Sequence, residues 1–385
     1  MNILIATDKF KDSQTALQLC EGLKKGILKT FSTATCETLP LADGGEGTLE
    51  TLQIVLGGEF ITCEVHDPLF RKIKAKYLWI ASTRTAIVEM ARASGIELLK
   101  KEERNPLRTS TSGTGELILD ALRKNAQEII LTVGGSPTND GGIGMATTLG
   151  YVFLDEFYNI LKPIGENLLK ICSIDKSKVY PNLSTVKFTV ATDVINPFYG
   201  ENGAAKIFAK QKGADENGIE LLDKGLENLA QIFQKEFNLD IQKKQGSGAG
   251  GGIGGGAIAF LNAKICSAAD LILNIVDIDS KLKFTNILIT GEGKIDSQTW
   301  QGKLISRLLE RANKFQVPTI LVCGTMQDLE HILAQEGIMY ATSILNEPIS
   351  LEEAIKNTSQ LIEYQGNMLG NLLRSLDHRF YGLDE

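Results

Sequence analysis

Short apolar runs alternate along the chain with apolar residues at helical spacing, and turns rich in Gly, Asp or Asn often separate them. The first run covers residues 2–6. The helical period that follows it is formed by Ala16, Leu17, Cys20, Leu23, Ile27 and Leu28. Similar runs recur at 129–133, 186–191, 286–290, 319–323 and 340–345. This alternation favours a mostly parallel sheet covered by helices on both faces.

One region has a different pattern. Residues 61–65, 72–80 and 85–90 are consecutive strand-like runs, and residues 72–77 alternate polar and apolar side chains, which predicts an antiparallel or mixed sheet. Residues 284–385 return to strand–helix alternation, and 385 residues exceed what one core usually serves. We therefore expect an α/β protein of two domains. Both chain ends (residues 1–70 and 284–385) form a doubly wound, Rossmann/flavodoxin-like parallel-sheet domain, and residues 71–283 form an inserted α/β domain with a mixed sheet.

The formal net charge of −7 bears on which binding partners the protein can have. Nucleic acids and anionic membranes are bound largely through clustered Lys and Arg, so neither partner is expected. No stretch approaches the roughly eighteen apolar residues of a membrane span. An anionic substrate stays possible, because a few basic groups and a metal ion can reverse the field inside one cleft.

The six cysteines are widely spaced and include no C-x-x-C pair. This spacing fits neither a zinc site nor a disulfide framework, so we expect reduced thiols. The chain opens on an apolar run without a basic start, and no signal peptide is expected. The predicted location is cytoplasmic.

Four loops rich in Gly and polar residues carry the candidate chemistry. They are residues 6–11 (ATDKFK), 41–48 (LADGGEGT), 134–142 (GGSPTNDGG) and 290–296 (TGEGKID). Loops at the carboxyl ends of strands in an open parallel sheet converge on one crevice, where ligands bind. We therefore expect the first, third and fourth loops to face a common cleft.

The residue types in these loops suit phosphate and Mg²⁺. Glycine lets backbone N–H groups approach oxyanions, and carboxylates and amides are hard oxygen ligands. Phosphoryl transfer needs positioning, charge neutralisation and one group that accepts a hydroxyl proton. The chain has only three histidines, none of them in these loops, so Asp is preferred as that acceptor. Each loop alone is more often ordinary turn chemistry, whereas four together favour a phosphate or metal cleft.

A glycine run, GSGAGGGIGGG, occupies residues 246–256. It is typical of a phosphate or nucleotide cradle, of a flexible hinge, or of small residues that allow close helix packing, and the pattern favours none of these. No Walker A sequence occurs in the chain.

Several basic residues near these segments are candidate clamps for phosphate or carboxylate, although each alone is more often a solvated surface residue. They are Lys9, Lys11, Arg104, Arg108, Lys212 and Lys294. Arg108 precedes a run of hydroxyl residues and a predicted helix over 116–124, and a helix N-terminus attracts anions.

Seven segments resemble the signature segments of the bacterial glycerate kinase type 1 family, in the family's order and over essentially the whole chain. They are residues 7–11, 41–48, 102–111 (EERNPLRTST), 134–142, 191–198 (ATDVINPF), 202–214 (NGAAKIFAKQKGA) and 289–298 (ITGEGKIDSQ). The resemblance implies ATP- and Mg²⁺-dependent phosphorylation of D-glycerate in the cleft between two α/β domains. The implied product is 2-phosphoglycerate by preference, with 3-phosphoglycerate possible. Monomer and homodimer stay open.

The resemblance also implies roles for single residues. Asp8, Asp193 and Asp296 would hold the inner positions, where one accepts the hydroxyl proton, and Asp193 and Asp296 bind Mg²⁺. Lys11 joins them as a catalytic candidate. The candidates for binding substrate and phosphate are Arg108, Lys212, Gly134, Gly135, Ser136, Thr138, Asn139, Asp140 and Glu292.

Departures from the family pattern keep one rival open. The family usually has A-P-D-S-F-K where this chain has Thr7 and Lys9, and G-G-S-A-T-N-D-G-G where it has Pro137. These changes leave room for altered substrate fit, or for a catalytically silent organic-acid-binding protein on the kinase scaffold. A hydroxy-acid dehydrogenase is disfavoured, because the first strand–helix turn contains no glycine.

Overall fold

The computed structural model describes residues 1–181, 183–297, 299–300, 302–327 and 329–381. The strands are β1 Asn2–Ile5, β2 Thr35–Thr38, β3 Glu59–His66, β4 Lys72–Ile80, β5 Thr85–Glu89, β6 Glu128–Thr132, β7 Val152–Leu154, β8 Ser173–Asp175, β9 Lys187–Ala191, β10 Lys264–Cys266, β11 Ile287–Thr290, β12 Lys294–Ile295, β13 Thr319–Cys323, β14 Thr325–Met326 and β15 Ile338–Ser343.

The helices are α1 Ala16–Thr30, α2 Thr48–Leu56, α3 Ala91–Ser94, α4 Ser112–Arg123, α5 Ile143–Thr148, α6 Ala204–Phe208, α7 Glu216–Phe237, α8 Ile253–Leu261, α9 Ala268–Ile275, α10 Ile278–Leu282, α11 Leu304–Lys314, α12 Leu329–Ala334 and α13 Leu351–Tyr381. Short 3-10 helices cover Ile96–Leu98, Lys101–Glu103, Gly165–Lys170, Leu183–Thr185, Lys210–Lys212 and Ile241–Lys243.

The chain divides into two compact units. Unit 1 comprises Met1–Asp43, Glu50–Val55 and Ala269–Glu385, and unit 2 comprises Gly44–Leu49 and Leu56–Ala268. These bounds differ from the predicted ones at three places, the first of which is residues 44–49, which lie in unit 2. Residues 56–70 lie in unit 2, because β3 pairs antiparallel with β4, and residues 269–283 lie in unit 1, because α9 and α10 pack in the core cluster that contains Leu4.

Unit 1 is built on a five-stranded parallel sheet in the order β15-β13-β11-β1-β2. Numbered within the unit, this is the 2-1-3-4-5 order of flavodoxin-like folds. The chain leaves β2 at one edge and returns at β11 on the other side of β1. The topological switch point, where ligands bind in such folds, therefore lies between the carboxyl ends of β1 and β11.

Both faces of this sheet are covered. Ile3 and Ile5 of β1 pack in a cluster with apolar residues of α1 and α13, whereas Leu4 packs with residues of α9, α10 and α11. A capping box of Thr15 and Gln18 begins α1. Strands buried on both faces read as continuous apolar runs, which is why the sequence pattern identified β1, β11 and β13.

Unit 2 contains a six-stranded mixed sheet in the order β10-β9-β6-β5-β4-β3. β5, β6, β9 and β10 are parallel, and β3, β4 and β5 pair antiparallel. One apolar cluster fills the core of this unit. The predicted α/β class, with one parallel and one mixed sheet, is confirmed. The parallel strands place the loops after β5, β6, β9 and β10 at the same edge.

All six cysteines are free thiols. Within the described ranges, no helix has both the length and the apolar character that crossing a bilayer requires.

Candidate functional site

The loops after β1 and β11 place Asp8 near Glu292 at the switch point of unit 1. The Asp8 N–H donates to the Gly291 carbonyl over 2.9 Å, so the two loops run side by side. The Asp8 side chain is buried and accepts a hydrogen bond from the Lys9 N–H at 2.7 Å. Glu292 is partly buried and accepts from the Thr299 hydroxyl at 2.8 Å.

The Asp8 carboxyl has the electrostatics of a base. Burial raises the pKa of Asp8 well above its usual value, and the charges of Asp43 and Glu292 raise it further, against the Lys9 N–H, which lowers it. Burial also raises the pKa of Glu292. A carboxylate whose pKa is raised towards the working pH accepts a proton more readily than an ordinary one.

The other unit 1 candidates lie nearby in the chain. Asp296 follows β12, and its carboxylate lies 3.0 Å from the Lys294 ammonium. The Asp296 N–H donates to the Thr299 hydroxyl at 3.1 Å. Lys11 is exposed in the loop after β1. Thr290 was included in the predicted loop 290–296 but was given no role; it lies at the end of β11, and its hydroxyl is buried and has no partner among the described residues.

In unit 2, the loop after β6 begins with exposed residues and continues with buried ones. Gly134 and Gly135 are exposed, whereas residues 136–140 are buried. The Ser136 hydroxyl donates to the Gly250 carbonyl at 3.1 Å, and the Thr138 N–H donates to the Ser136 oxygen at 3.2 Å. The loop is therefore fixed by its own hydrogen bonds and by the glycine run.

The Lys212 side chain is fastened to this loop. It is only 4% exposed, and its ammonium donates to the Thr138 carbonyl at 2.8 Å and to the Ser136 hydroxyl at 3.4 Å. Burial lowers the pKa of Lys212 to about 7, against the charge of Asp140, which raises it. Lys212 lies in the short polar sequence Gln-Lys-Gly, which does not predict a buried side chain.

Lys212 and the loop line a cavity of about 330 Å³. Its lining residues are Ile96, Val133, Gly134, Gly135, Ser136, Val194, Phe208, Gln211, Lys212 and Gly250. Sequence reasoning found the glycines, Ser136 and Lys212 but not the apolar walls. Val194 and Phe208 lie in the segments 191–198 and 202–214 that resemble the family, but the sequence does not show that they line a cavity.

Asp140 holds the loop together from inside the protein. Its fully buried carboxylate accepts hydrogen bonds from the Thr111 N–H and hydroxyl, both at 2.8 Å, from the Gly142 N–H at 3.1 Å and from the Gly144 N–H at 3.2 Å. Burial raises the pKa of Asp140, and these hydrogen bonds oppose the shift. The ligand-binding role of Asp140 stays a prediction, and the geometry favours an indirect one, through the loop.

Asn139 is the polar residue of the loop with unused hydrogen-bonding capacity. It is fully buried, and within the described chain neither its amide nitrogen nor its amide oxygen has a partner. Buried polar groups are nearly always hydrogen-bonded, so an unused amide at this place fits a group that receives a ligand.

Asp193 and Arg108 lie at other places on unit 2. Asp193 follows β9 and accepts from the hydroxyl of Ser267, which follows β10, at 2.8 Å. Arg108 is exposed beside Thr109, whose hydroxyl donates to the Pro137 carbonyl at 3.0 Å. Ser267 was not predicted as a site residue, because only the pairing of β9 with β10 brings it close to Asp193.

The glycine run packs tightly against this loop. The Gly141 N–H donates to the Gly251 carbonyl at 3.1 Å. A Cβ atom on Gly251 would lie 1.9 Å from the Thr138 carbonyl oxygen, and one on Gly256 would lie 2.3 Å from that of Gly141. Of the three interpretations of the run, these contacts support close packing.

The predicted metal ligands, Asp193 and Asp296, belong to different units. In the part of the chain that the structure describes, no group of three or more His, Cys, Asp or Glu side chains forms a metal cluster. The assignment of Mg²⁺ to these two residues stays a prediction.

Comparison with known proteins identifies the family. The profile of the glycerate kinase family matches residues 3–374. A glycerate kinase from Halalkalibacterium halodurans is 40% identical over 94% of this chain and 95% of its own length. The glycerate 2-kinase of Escherichia coli is 38% identical over 92% and 93%, respectively. A crystal structure assigned as glycerate kinase 2 from Salmonella typhimurium LT2 superposes with a TM-score of 0.87, at 35% identity, over 98% of this chain and 99% of that one.

The chain belongs to the glycerate kinase family. The predicted family and the predicted enzyme class, a kinase, are confirmed. The roles of the single site residues are a separate question.

Proposed function

We propose that the protein transfers the terminal phosphate of ATP to the 2-hydroxyl of D-glycerate, in a reaction that requires Mg²⁺. The observation that carries the proposal is the family match, which runs from residue 3 to residue 374. The choice of the 2-hydroxyl rests on the name of the Escherichia coli relative, a glycerate 2-kinase.

Asp8 is the proposed acceptor of the hydroxyl proton. Burial and two neighbouring carboxylates, Asp43 and Glu292, raise the pKa of Asp8. It also lies in the loop after β1, beside the switch point, where the fold class places ligands. Glu292 supports the role by raising the basicity of Asp8, in addition to its predicted part in binding.

Asp193 and Asp296 are the proposed residues for Mg²⁺. Both are partly exposed carboxylates in loops that follow strands, and carboxylate oxygens are the ligands that this ion prefers. When bound, Mg²⁺ supplies charge neutralisation to the phosphate oxygens. The Ser267 hydroxyl orients one Asp193 oxygen, and Lys294 lies beside the Asp296 carboxylate.

The loop after β6 is the proposed phosphate cradle. Gly134 and Gly135 are exposed, so their backbone can approach an anion closely. Lys212 contributes a positive charge, and the unused Asn139 amide fits a group that hydrogen-bonds ligand oxygen. Ser136, Thr138 and Asp140 hold this geometry through the hydrogen bonds described above. Lys11 and Arg108, both exposed, would balance charge on the carboxylate or the transferred phosphoryl group.

The test is a turnover assay with ATP, Mg²⁺ and D-glycerate, followed by phosphorus NMR of the product. We expect ADP and 2-phosphoglycerate to form together. A 3-phosphoglycerate product would refute the assigned position while leaving the kinase intact. Binding of D-glycerate without any turnover would favour the catalytically silent alternative. The interdomain cleft, the cytoplasmic location and the oligomeric state stay predictions.

A further inference from the structure

The cavity at Lys212 combines apolar walls with one concentrated charge. Ile96, Val133, Val194 and Phe208 contribute apolar surface, and Gly134, Gly135 and Gly250 contribute backbone. In the described chain, Lys212 carries the only charged side chain of the lining. When Lys212 is protonated, a ligand in this cavity would therefore meet one cation in surroundings that screen it poorly.

The Lys212 ammonium has donor capacity left for a ligand. An ammonium group carries three N–H donors. The described residues accept two hydrogen bonds from it, the Thr138 carbonyl at 2.8 Å and the Ser136 hydroxyl at 3.4 Å. Both acceptors are neutral. The remaining donor belongs to a side chain that lines the cavity.

The charge of Lys212 is balanced only from a distance. Asp140 is the acidic residue whose charge acts on it. The Asp140 carboxylate is itself occupied by hydrogen bonds from Thr111, Gly142 and Gly144, and the structure gives no direct contact between it and Lys212. The neighbouring charged groups on the Lys212 segment, Lys210 and Glu216, are exposed and lie 3.5 Å from each other.

We propose that an anionic oxygen of a substrate binds to Lys212 in this cavity, and that the Lys212 amine takes up a proton from the solvent as the anion arrives. The oxygen belongs either to the carboxylate of the hydroxy acid or to a phosphate of ATP. The inference rests on the proposed function, to which it adds a proton-linked binding step.

The sign of the effect follows from the cavity. Burial lowers the pKa of Lys212 to about 7, so the free enzyme above pH 7 holds mainly the neutral amine. An anion favours the charged ammonium and raises this pKa, so binding draws a proton onto the nitrogen. We expect uptake of about 0.9 proton per ligand at pH 8 and about 0.1 at pH 6, with affinity about tenfold lower at pH 8.

Titration calorimetry of the full-length protein in two buffers of different ionisation enthalpy measures this uptake directly. D-glycerate alone and MgATP alone are the two arms, each at pH 6 and pH 8. Uptake near 0.9 at pH 8 in one arm identifies the anion that Lys212 receives. Binding in both arms with no uptake in either would overturn the inference.

Variants separate Lys212 from other proton sites. Lys212→Arg keeps the positive charge but cannot lose it in this pH range, so binding should persist without proton uptake. Lys212→Met should weaken binding in the same arm at least tenfold at pH 6. Lys210→Met is the control, since Lys210 is exposed two residues away, and its uptake should match the wild type.

The outcomes are distinct from those of the function itself. Wild-type protein that turns over D-glycerate but takes up no proton on binding either ligand refutes this inference alone. Uptake that survives in Lys212→Arg also refutes it, because another group then binds the proton. If the arginine does not fit and the variant fails to fold, titration of Lys212→Met at saturating ligand decides, because uptake that survives in that variant refutes the inference and its loss supports it.

Discussion

Replacement of Gly251 by alanine should damage the candidate site by displacing the loop after β6. Gly251 has a φ of +78°, and a Cβ atom there would lie 1.9 Å from the Thr138 carbonyl oxygen. That oxygen also accepts the hydrogen bond from Lys212. The added methyl group cannot avoid this contact by rotation, because the obstacle is backbone, so the Thr138–Asn139 segment has to move.

The cost has two parts. The left-handed conformation costs an alanine roughly 1 kcal/mol relative to glycine. Moving packed backbone away from the new methyl group adds about 1–3 kcal/mol, as for overpacking in a core. We therefore expect Gly251→Ala to lower the free energy of unfolding by about 2–4 kcal/mol.

Gly57 offers a matched control in the same unit. Its φ is +70°, but among the described residues no atom lies within 4 Å of where its Cβ would stand. Gly57→Ala should therefore show only the conformational part, about 1 kcal/mol. Urea unfolding of both variants measures the difference, and D-glycerate turnover shows whether displacement of Thr138 reaches the site.

If Gly251→Ala unfolds at the same urea concentration as Gly57→Ala and turns over D-glycerate normally, the glycine run does not position the loop after β6. The close-packing interpretation of the run would then be wrong. A loss of activity in Gly251→Ala alone would support it.

The remaining predictions concern the charged groups. Asp8→Asn should lower turnover by about 10²- to 10⁴-fold with the fold intact. The acid limb of the wild-type pH profile of turnover should lie well above the usual aspartate range, because Asp8, whose pKa is raised, accepts a proton only at pH values above that pKa. An acid limb in the usual aspartate range would assign the base to another residue. Asp193→Asn and Asp296→Asn should each lower turnover by orders of magnitude, and near-normal turnover in both would refute the metal assignment. Lys212→Met should stabilise the fold more at pH 6 than at pH 9, by roughly 2–3 kcal/mol. In the wild type, Lys212 has a pKa of about 7 when folded and near 10.5 when unfolded, so protonation increasingly favours the unfolded chain as the pH falls from 10.5 to 7. Urea unfolding at both pH values checks this, and a gain independent of pH would contradict it.

The two sheets were predictable from the sequence for different reasons. β1, β11 and β13 are buried on both faces, so their residues form continuous apolar runs, whereas the start of β4 alternates because one side of it is more exposed. The edge strand β2, with the sequence TCET, carries no apolar run and went undetected. Strand β3 was recognised but placed in the wrong unit, since its pairing partner is invisible in a local pattern.

The candidate site was predictable as a set of segments but not as an arrangement. The glycines and carboxylates stand out because few residue types suit strand-end loops that bind anions. The burial of Lys212 and the contact of Ser267 with Asp193 depend on elements far apart in the chain. Which residue faces each glycine of the run 246–256 likewise depends on tertiary packing, so the sequence alone could not distinguish a hinge from close packing.

The most direct test of the central claim is the initial rate of ADP formation by the purified protein with Mg²⁺ATP, in the presence and absence of D-glycerate, with L-glycerate as the control substrate. We expect a rate that depends on D-glycerate, saturates with its concentration, and is nearly abolished in Asp8→Asn. A rate that D-glycerate does not change, from protein that binds it, would contradict the assignment as a D-glycerate kinase.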